Sequence, residues 1–251
     1  MTLPGYVRVG FRLTALVVAL AGALLLHGAW RAVRAPSPWP PRFLGLVARI
    51  VGAQARTVGV PLQRDGLVVS NHLSWIDILV LAQASGAAFV AKDDLAKVPL
   101  IGWLCTLNHT IFIARGDRAG VGAQVATIRR ALLTGRPVGV FPEGTTGDGR
   151  TLRPFKAALF EAFDPPPPGV RVQPVRIDYG AATDDIVWGA ETGGANALRL
   201  LARAGTFAVT LRFAEPFDPA EFAGRKAIAA EARRRMEAAV PSSRPTPSAA
   251  G

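Results

Sequence analysis

Residues Leu67 to Ala84, LVVSNHLSWIDILVLAQA, run from one apolar stretch through a polar step into another. Leu67, Val68 and Val69 follow the turn signal Asp65-Gly66 and predict a short buried strand. Ser70-Asn71-His72 falls where that strand must end. Ser74, followed three residues later by Asp77 and then by Ile78-Leu79-Val80-Leu81, is a capping-box pattern. It predicts a helix N-terminus with Ser74 as N-cap, Asp77 in the first turn and His72 just outside the helix. On one continuous helix, side chains five apart diverge by about 140°, at ~100° per residue. With His72 on the incoming loop, its ring can fold back so that the Asp77 carboxylate accepts from one ring nitrogen. The other nitrogen is then a proton acceptor, the arrangement of a base held by an orienting carboxylate. Taken alone, the pair reads equally well as a helix cap beside a turn residue.

The step from strand to helix recurs. After Leu67–Val69 and a helix over Trp75–Ala84, a strand is expected near Ala88–Ala91 and a short helix near Ile101–Leu107. A strand at Thr110–Ala114, a helix over Val121–Thr134 and a strand at Val138–Phe141 follow, with later strands near Val170–Ile177 and Phe207–Phe213. A basic amphipathic helix is expected over Pro219–Val240. Such alternation predicts an α/β layered domain with a largely parallel sheet, its functional loops beyond the carboxyl ends of the strands.

The N-terminal part is of another kind. Leu13 to Ala29 is apolar except for Thr14 and His27, with Arg8 and Arg12 before it and Arg31 and Arg34 after it. Seventeen residues is short beside the ~20 of a typical spanning helix, so a short span, an interfacial helix and half of a re-entrant hairpin are all open. An uncleaved membrane anchor is the expectation. A Pro-rich break follows, and Arg42 to Ala55 predicts a second amphipathic helix with Phe43, Leu44, Val47, Ile50 and Val51 on one side. The chain has 29 Lys and Arg against 18 Asp and Glu, a net charge of +11. Scattered among apolar stretches, that charge suits an anionic membrane surface and not nucleic acid. One cysteine excludes an intrachain disulfide, and three histidines give no metal-ligand spacing.

Two further stretches can carry chemistry. Phe141-Pro142-Glu143-Gly144-Thr145-Thr146 follows the apolar strand Val138-Gly139-Val140, a tight turn that exposes backbone N–H groups beside a carboxylate and hydroxyls. Thr110 to Arg115 ends a second strand with an arginine, whose fork suits a phosphate. Each alone is an ordinary surface feature.

Together they resemble the glycerolipid acyltransferases, the group typified by lysophosphatidic acid acyltransferase. Asn71-His72 to Asp77 is similar to the N-H-x-x-x-x-D block. Phe112-Ile113-Ala114-Arg115, Phe141-Pro142-Glu143-Gly144-Thr145 and Val172-Gln173-Pro174-Val175 resemble the other three blocks, in the same order. Lys92, Pro99 and Gly102 fit the segment between the first two. The resemblance implies that His72, oriented by Asp77, deprotonates a lipid hydroxyl, which attacks an acyl thioester with no covalent acyl-enzyme. No G-x-S-x-G elbow is present, and Cys105 lies in an apolar stretch away from every block.

The resemblance further implies that Asn71, Ser74, Lys92, Arg115, Glu143, Gly144 and Thr145 hold the acceptor. It implies acyl-CoA or acyl carrier protein as co-substrate, without cofactor or metal, and lysophosphatidic acid as acceptor, giving phosphatidic acid. Gly147-Asp148-Gly149 and the segment around Trp188 resemble a bacterial subgroup that acts on other lysolipids, among them lyso-ornithine lipids. A thioesterase or lipid hydrolase, with the His–Asp pair activating water, is the competing chemistry. The expected layout is a membrane anchor and amphipathic helix over 1–57, an acyltransferase domain over 58–240 and a disordered tail over 241–251. The active site would face the cytoplasmic side of the inner membrane.

Overall fold

The computed structural model describes residues 2–113 and 121–239. Arg115 and the tail expected over 241–251 lie outside the described residues, as does the Lys92 side chain.

Two helices open the fold. Helix α1 (Leu3–Ala32) is the one helix among the described residues long and apolar enough to cross a membrane. Helix α2 (Trp39–Val51) begins in the Pro-rich break, where Pro40 fits a first helical turn because its missing N–H would have no partner there. It ends at Gly52, whose φ of 111° only glycine adopts easily and whose N–H reaches back to Ala48 and Arg49. The amphipathic helix expected to reach Ala55 therefore stops at Val51, and strand β1 (Ala53–Val58) follows. All of β1 beyond Ala53 is exposed, so it lacks the apolar alternation that marks a strand. Its partner, not its own sequence, makes it one.

The rest is strand β2 (Gly66–Ser70), helix α3 (Ile76–Ser85), strand β3 (Ala88–Lys92), helix α4 (Pro99–Leu107), strand β4 (Ile111–Ile113), helix α5 (Val121–Leu132), strand β5 (Val138–Val140), strand β6 (Arg171–Asp178), short helices α6 (Thr183–Ile186) and α7 (Gly193–Ala202), strand β7 (Phe207–Phe213) and helix α8 (Gly224–Ala238). Helices α6 and α7 have no counterpart in the expected pattern.

The strands form one sheet in the order β1-β7-β6-β2-β5-β3-β4, parallel throughout except for the antiparallel β6–β7 pair. The α/β reading holds. Strand β2 sits at the centre and is buried at every residue. Val68 packs into one core with α2, α3 and α7, while Leu67 and Val69 pack into the other with α5, α8 and the turn at Ala157–Phe163. A strand covered on both faces reads as an unbroken apolar run, as this one does. Because β2 and β5 are parallel neighbours, Ser70-Asn71-His72 and Phe141-Pro142-Glu143 emerge side by side at one sheet edge.

Candidate active site

The Asp77 carboxylate is fully buried and its two oxygens are both occupied. Oδ2 accepts from the backbone N–H of Leu73 at 2.6 Å, from that of Ser74 at 2.9 Å and from His72 Nδ1 at 3.0 Å. The two backbone bonds are the reach-back half of the capping box, and they hold the carboxylate where the folded-back imidazole meets it. The helix itself starts a residue or two later than expected. Trp75 takes the cap position and Ser74 Oγ lies only 3.5 Å from Ile76 N, so the Ser74 side chain caps weakly. An ionised carboxylate only accepts, so Nδ1 carries the proton and Nε2 the lone pair. The His72 side chain keeps 18% of its surface exposed. Its ring lies flat on Phe141, with centroids 4.1 Å apart and planes 18° apart, and Phe141 stacks in turn on Phe89. Gly139 makes room for that stack, since a Cβ there would stand 2.4 Å from the Phe89 ring.

The His72 backbone is bound to the loop after β5 from both sides. Its N–H donates to Glu143 Oε1 at 3.0 Å, and its carbonyl accepts from Gly147 N–H at 2.7 Å. Glu143 Oε2 accepts from Arg153 N–H at 3.0 Å. Burial pushes the Glu143 carboxyl up, opposed by those two backbone bonds and by nearby positive charge. Glu143 is thus a brace between two loops. Gly144 has φ 74°, and the Lys156 ammonium lies over it, 2.4 Å from where a Cβ would be. Thr145 is exposed beside it.

The structure brings His72, Asp77, Glu143, Gly144 and Thr145 to one sheet edge. Asn71 and Ser74 are there too, but buried. The Asn71 amide exchanges both its hydrogen bonds with the backbone of Ile177, at 3.0 and 2.7 Å, joining the ends of β2 and β6. Lys92 ends β3, two strands away from β2. Cys105 is half-buried on α4, and burial pushes its thiol up, away from a nucleophilic thiolate. Among the described residues no three His, Cys, Asp or Glu side chains converge as a metal site would need.

Two parts of the site escape sequence reasoning. The Tyr179 hydroxyl donates to Asp77 Oδ1 at 2.6 Å from a fully buried position, across 102 residues of chain. Burial and the Asp77 charge hold its phenol well above the usual value, so it stays a donor. The segment after it ties the two loops together. Trp188 N–H donates to the Leu73 carbonyl at 2.9 Å, and Thr146 Oγ1 donates to the Trp188 carbonyl at 3.0 Å. Trp75 Nε1 donates to buried Asn196 on α7 at 2.8 Å. Among these residues the sequence signals only the Trp188 segment, as a likeness to the subgroup acting on other lysolipids and not as a brace.

A family model described as Acyltransferase matches residues 54–178, which hold the whole His–Asp–Glu constellation. A lyso-ornithine lipid O-acyltransferase from Rhodobacter capsulatus is 35% identical over 245 residues, covering 91% of this chain and 88% of that protein. The chain belongs to the acyltransferase family. This acyltransferase is also 35% identical to a 1-acyl-sn-glycerol-3-phosphate acyltransferase from Neisseria gonorrhoeae, over 114 residues that cover 45% of this chain and 44% of that one. Its fold matches the crystal structure of the 1-acyl-sn-glycerophosphate (LPA) acyltransferase PlsC from Thermotoga maritima with a TM-score of 0.65. That match covers 93% of this chain and 92% of the other, at 22% identity.

Proposed function

We propose that this enzyme is a lysolipid O-acyltransferase whose acceptor is a lyso-ornithine lipid, and that His72 is its general base. The observation that supports this acceptor is the extent of the likeness. It runs nearly end to end against the lyso-ornithine lipid enzyme, but over less than half the chain against the gonococcal enzyme named for 1-acyl-sn-glycerol-3-phosphate. That favours lyso-ornithine lipid over lysophosphatidic acid, the acceptor implied by the block resemblance.

In the reaction, His72 Nε2 takes the proton of the acceptor hydroxyl as its oxygen attacks the thioester carbonyl. The C–O bond forms, the C–S bond breaks, and the thiolate leaves with the proton returned by the imidazolium. Asp77 keeps Nδ1 protonated and stabilises the imidazolium. The Phe141 face fixes the ring plane, and Glu143 and Gly147 hold the His72 backbone still. Acyl-CoA or acyl carrier protein would be the donor, with no cofactor, and both put the reaction on the cytoplasmic face.

The acyltransferase works on membrane lipids, and α1 suits an interfacial anchor better than a span. Arg8 and Arg12, in its first half, donate to carbonyls at the end of α7, Arg12 to Leu200, Leu201 and Arg203 at 2.9–3.1 Å. Near its other end, His27 Nδ1 bonds Ser37 Oγ at 2.8 Å. A helix held to the end of α7 near its start, and folded back through the linker onto α2, lies along the body, leaving Phe11, Val17, Val18 and Leu25 exposed to one leaflet.

The test is acyl transfer by membranes containing the protein, offered lyso-ornithine lipid and lysophosphatidic acid side by side, with His72→Ala as control. Product from lyso-ornithine lipid that vanishes in the variant is expected. Product only from lysophosphatidic acid would overturn the acceptor, and thioester loss without acceptor would overturn acyl transfer.

A further inference from the structure

Arg176 and Arg212 stand directly opposite each other on the antiparallel pair β6–β7. Like charges in that position repel, so the fold would be expected to neutralise them. It does not. Among the described residues neither guanidinium makes a hydrogen bond or ion pair, and Arg212 Nε is buried with no partner. Arg176 is half-buried, and burial lowers its pKa.

The carboxylates that Arg176 feels are Glu143, Asp178 and Glu237, and none lies within ion-pair distance of it. Each has other partners. Glu143 holds two backbone N–H groups, Asp178 accepts from Gly180 N–H at 2.8 Å, and Glu237 pairs with Arg233 at 2.8 Å. The Arg176 fork is therefore left open at the sheet edge that carries the active site. Val175 is in register with Ser70, so Arg176 stands level with Asn71, one residue from His72, on the neighbouring strand. Ile177 and Tyr179 face α3 and Asp77; Arg176 alternates to the opposite face, the side where it meets the charge of Glu143.

We propose that Arg176, with Arg212 behind it, binds the anionic group of the acceptor headgroup. This rests on the lysolipid reading above. An N-(3-hydroxyacyl)ornithine carries one carboxylate a few bonds from its reacting hydroxyl, and a glycerophosphate carries a phosphate similarly close. The guanidinium fork suits either oxyanion, and half-burial strengthens the attraction by thinning the solvent around it. Arg212 raises the local potential and touches the ligand less. Such a site orients the acceptor so that its hydroxyl, and not its headgroup, lies at His72 Nε2.

The experiment compares wild type, Arg176→Gln, Arg176→Lys and Arg212→Gln on lyso-ornithine lipid and on its carboxyl methyl ester, with acceptor and donor KM measured separately. Arg176→Gln is expected to raise the acceptor KM for the free acid by ~10- to 100-fold, with a far smaller change in kcat. Wild type should discriminate against the ester and Arg176→Gln should not. Arg176→Lys, which keeps the charge without the fork, should fall between, and Arg212→Gln should show a smaller rise than Arg176→Gln. The proposal fails if Arg176→Gln prefers acid over ester as strongly as wild type does, or if the loss appears in the donor KM. Should wild type use lysophosphatidic acid and not lyso-ornithine lipid, the acceptor assignment falls. Arg176 is then judged on lysophosphatidic acid, where a raised KM supports the site and an unchanged one overturns it.

Discussion

Replacing Tyr179 by Phe removes one hydroxyl and keeps the ring, one of the largest fully buried side chains of the fold. That hydroxyl is the only hydrogen-bond partner of Asp77 Oδ1 among the described residues, while Oδ2 keeps all three of its donors. Asp77 has no exposed surface, so water does not replace the lost bond. A bond to a buried charged group contributes about 1.5–3 kcal/mol, so the variant should lose that much stability. For a chain of this size that is a fall in Tm of about 3–12 °C. A cavity would cost more, but the retained ring leaves none.

The catalytic effect has a sign as well. The phenol stays protonated and draws charge away from the carboxylate. Without it, Oδ1 has no donor among the described residues, and the carboxylate that orients His72 is held from one side only. Turnover should therefore fall by roughly 3- to 10-fold with acceptor KM little changed, because the loss is in holding the proposed base and not in binding the lipid. The assay is acyl transfer with kcat and acceptor KM measured separately, beside thermal unfolding of the same preparation. A lower Tm with kcat unchanged would refute the argument that Tyr179 acts through Asp77 on His72.

His72→Ala should cut turnover by roughly 10²- to 10⁴-fold while the protein still sediments with membranes, because α1 and the base are separate; flotation and acyl transfer check this. Gly144→Ala places a Cβ at φ 74° against Lys156 and should lower stability by about 1–2 kcal/mol, read as a lower Tm. For Glu143 the folded carboxyl is raised above its ordinary 4.5, so the stability it contributes is present below that value and lost as pH rises through the folded one. Glu143→Gln removes that dependence, and its Tm relative to wild type should improve as pH rises above about 4.5; a constant difference would contradict the burial argument.

The central strand and its helix were legible because each obeys a local rule. Leu67–Val69 is an apolar run bounded by a turn, and Ser74 with Asp77 spells a capping box whose Asp77 half forms, so the position of His72 follows from spacing alone. Strand β1 was not legible, because an exposed strand has no pattern of its own; Gly52 ends the helix before it and β7 supplies its hydrogen bonds. Helix α6 is only four largely polar residues and carries no pattern of its own, while α7 opens on Gly193-Gly194, which read as a loop, and buries Asn196 beside Leu200, a polar residue on its inner face. Asn71 and Ser74 could be named but not assigned from sequence, since burial and a partner more than 100 residues away decide what the Asn71 amide does.

What positions the proposed base is therefore mostly remote from the motif that names it. Residues 54–178 contain His72, Asp77 and Glu143, and Tyr179 stands one residue past that matched stretch. Beyond it, Trp188 spans the loops after β2 and β5, and Asn196 on α7 holds Trp75. Arg199 binds the Asp185 and Val187 carbonyls and the Glu191 side chain, fixing the loop that carries Trp188. The end of α7 is in turn gripped by Arg12 of α1. The apolar helix and the catalytic loops are thus consecutive parts of one packed path, α1 to α7 to Trp188 to Leu73. Helix α1 contacts the body directly, and if it is the proposed membrane anchor, the sheet edge bearing His72 stands in a fixed relation to the leaflet from which the proposed lysolipid acceptor would arrive.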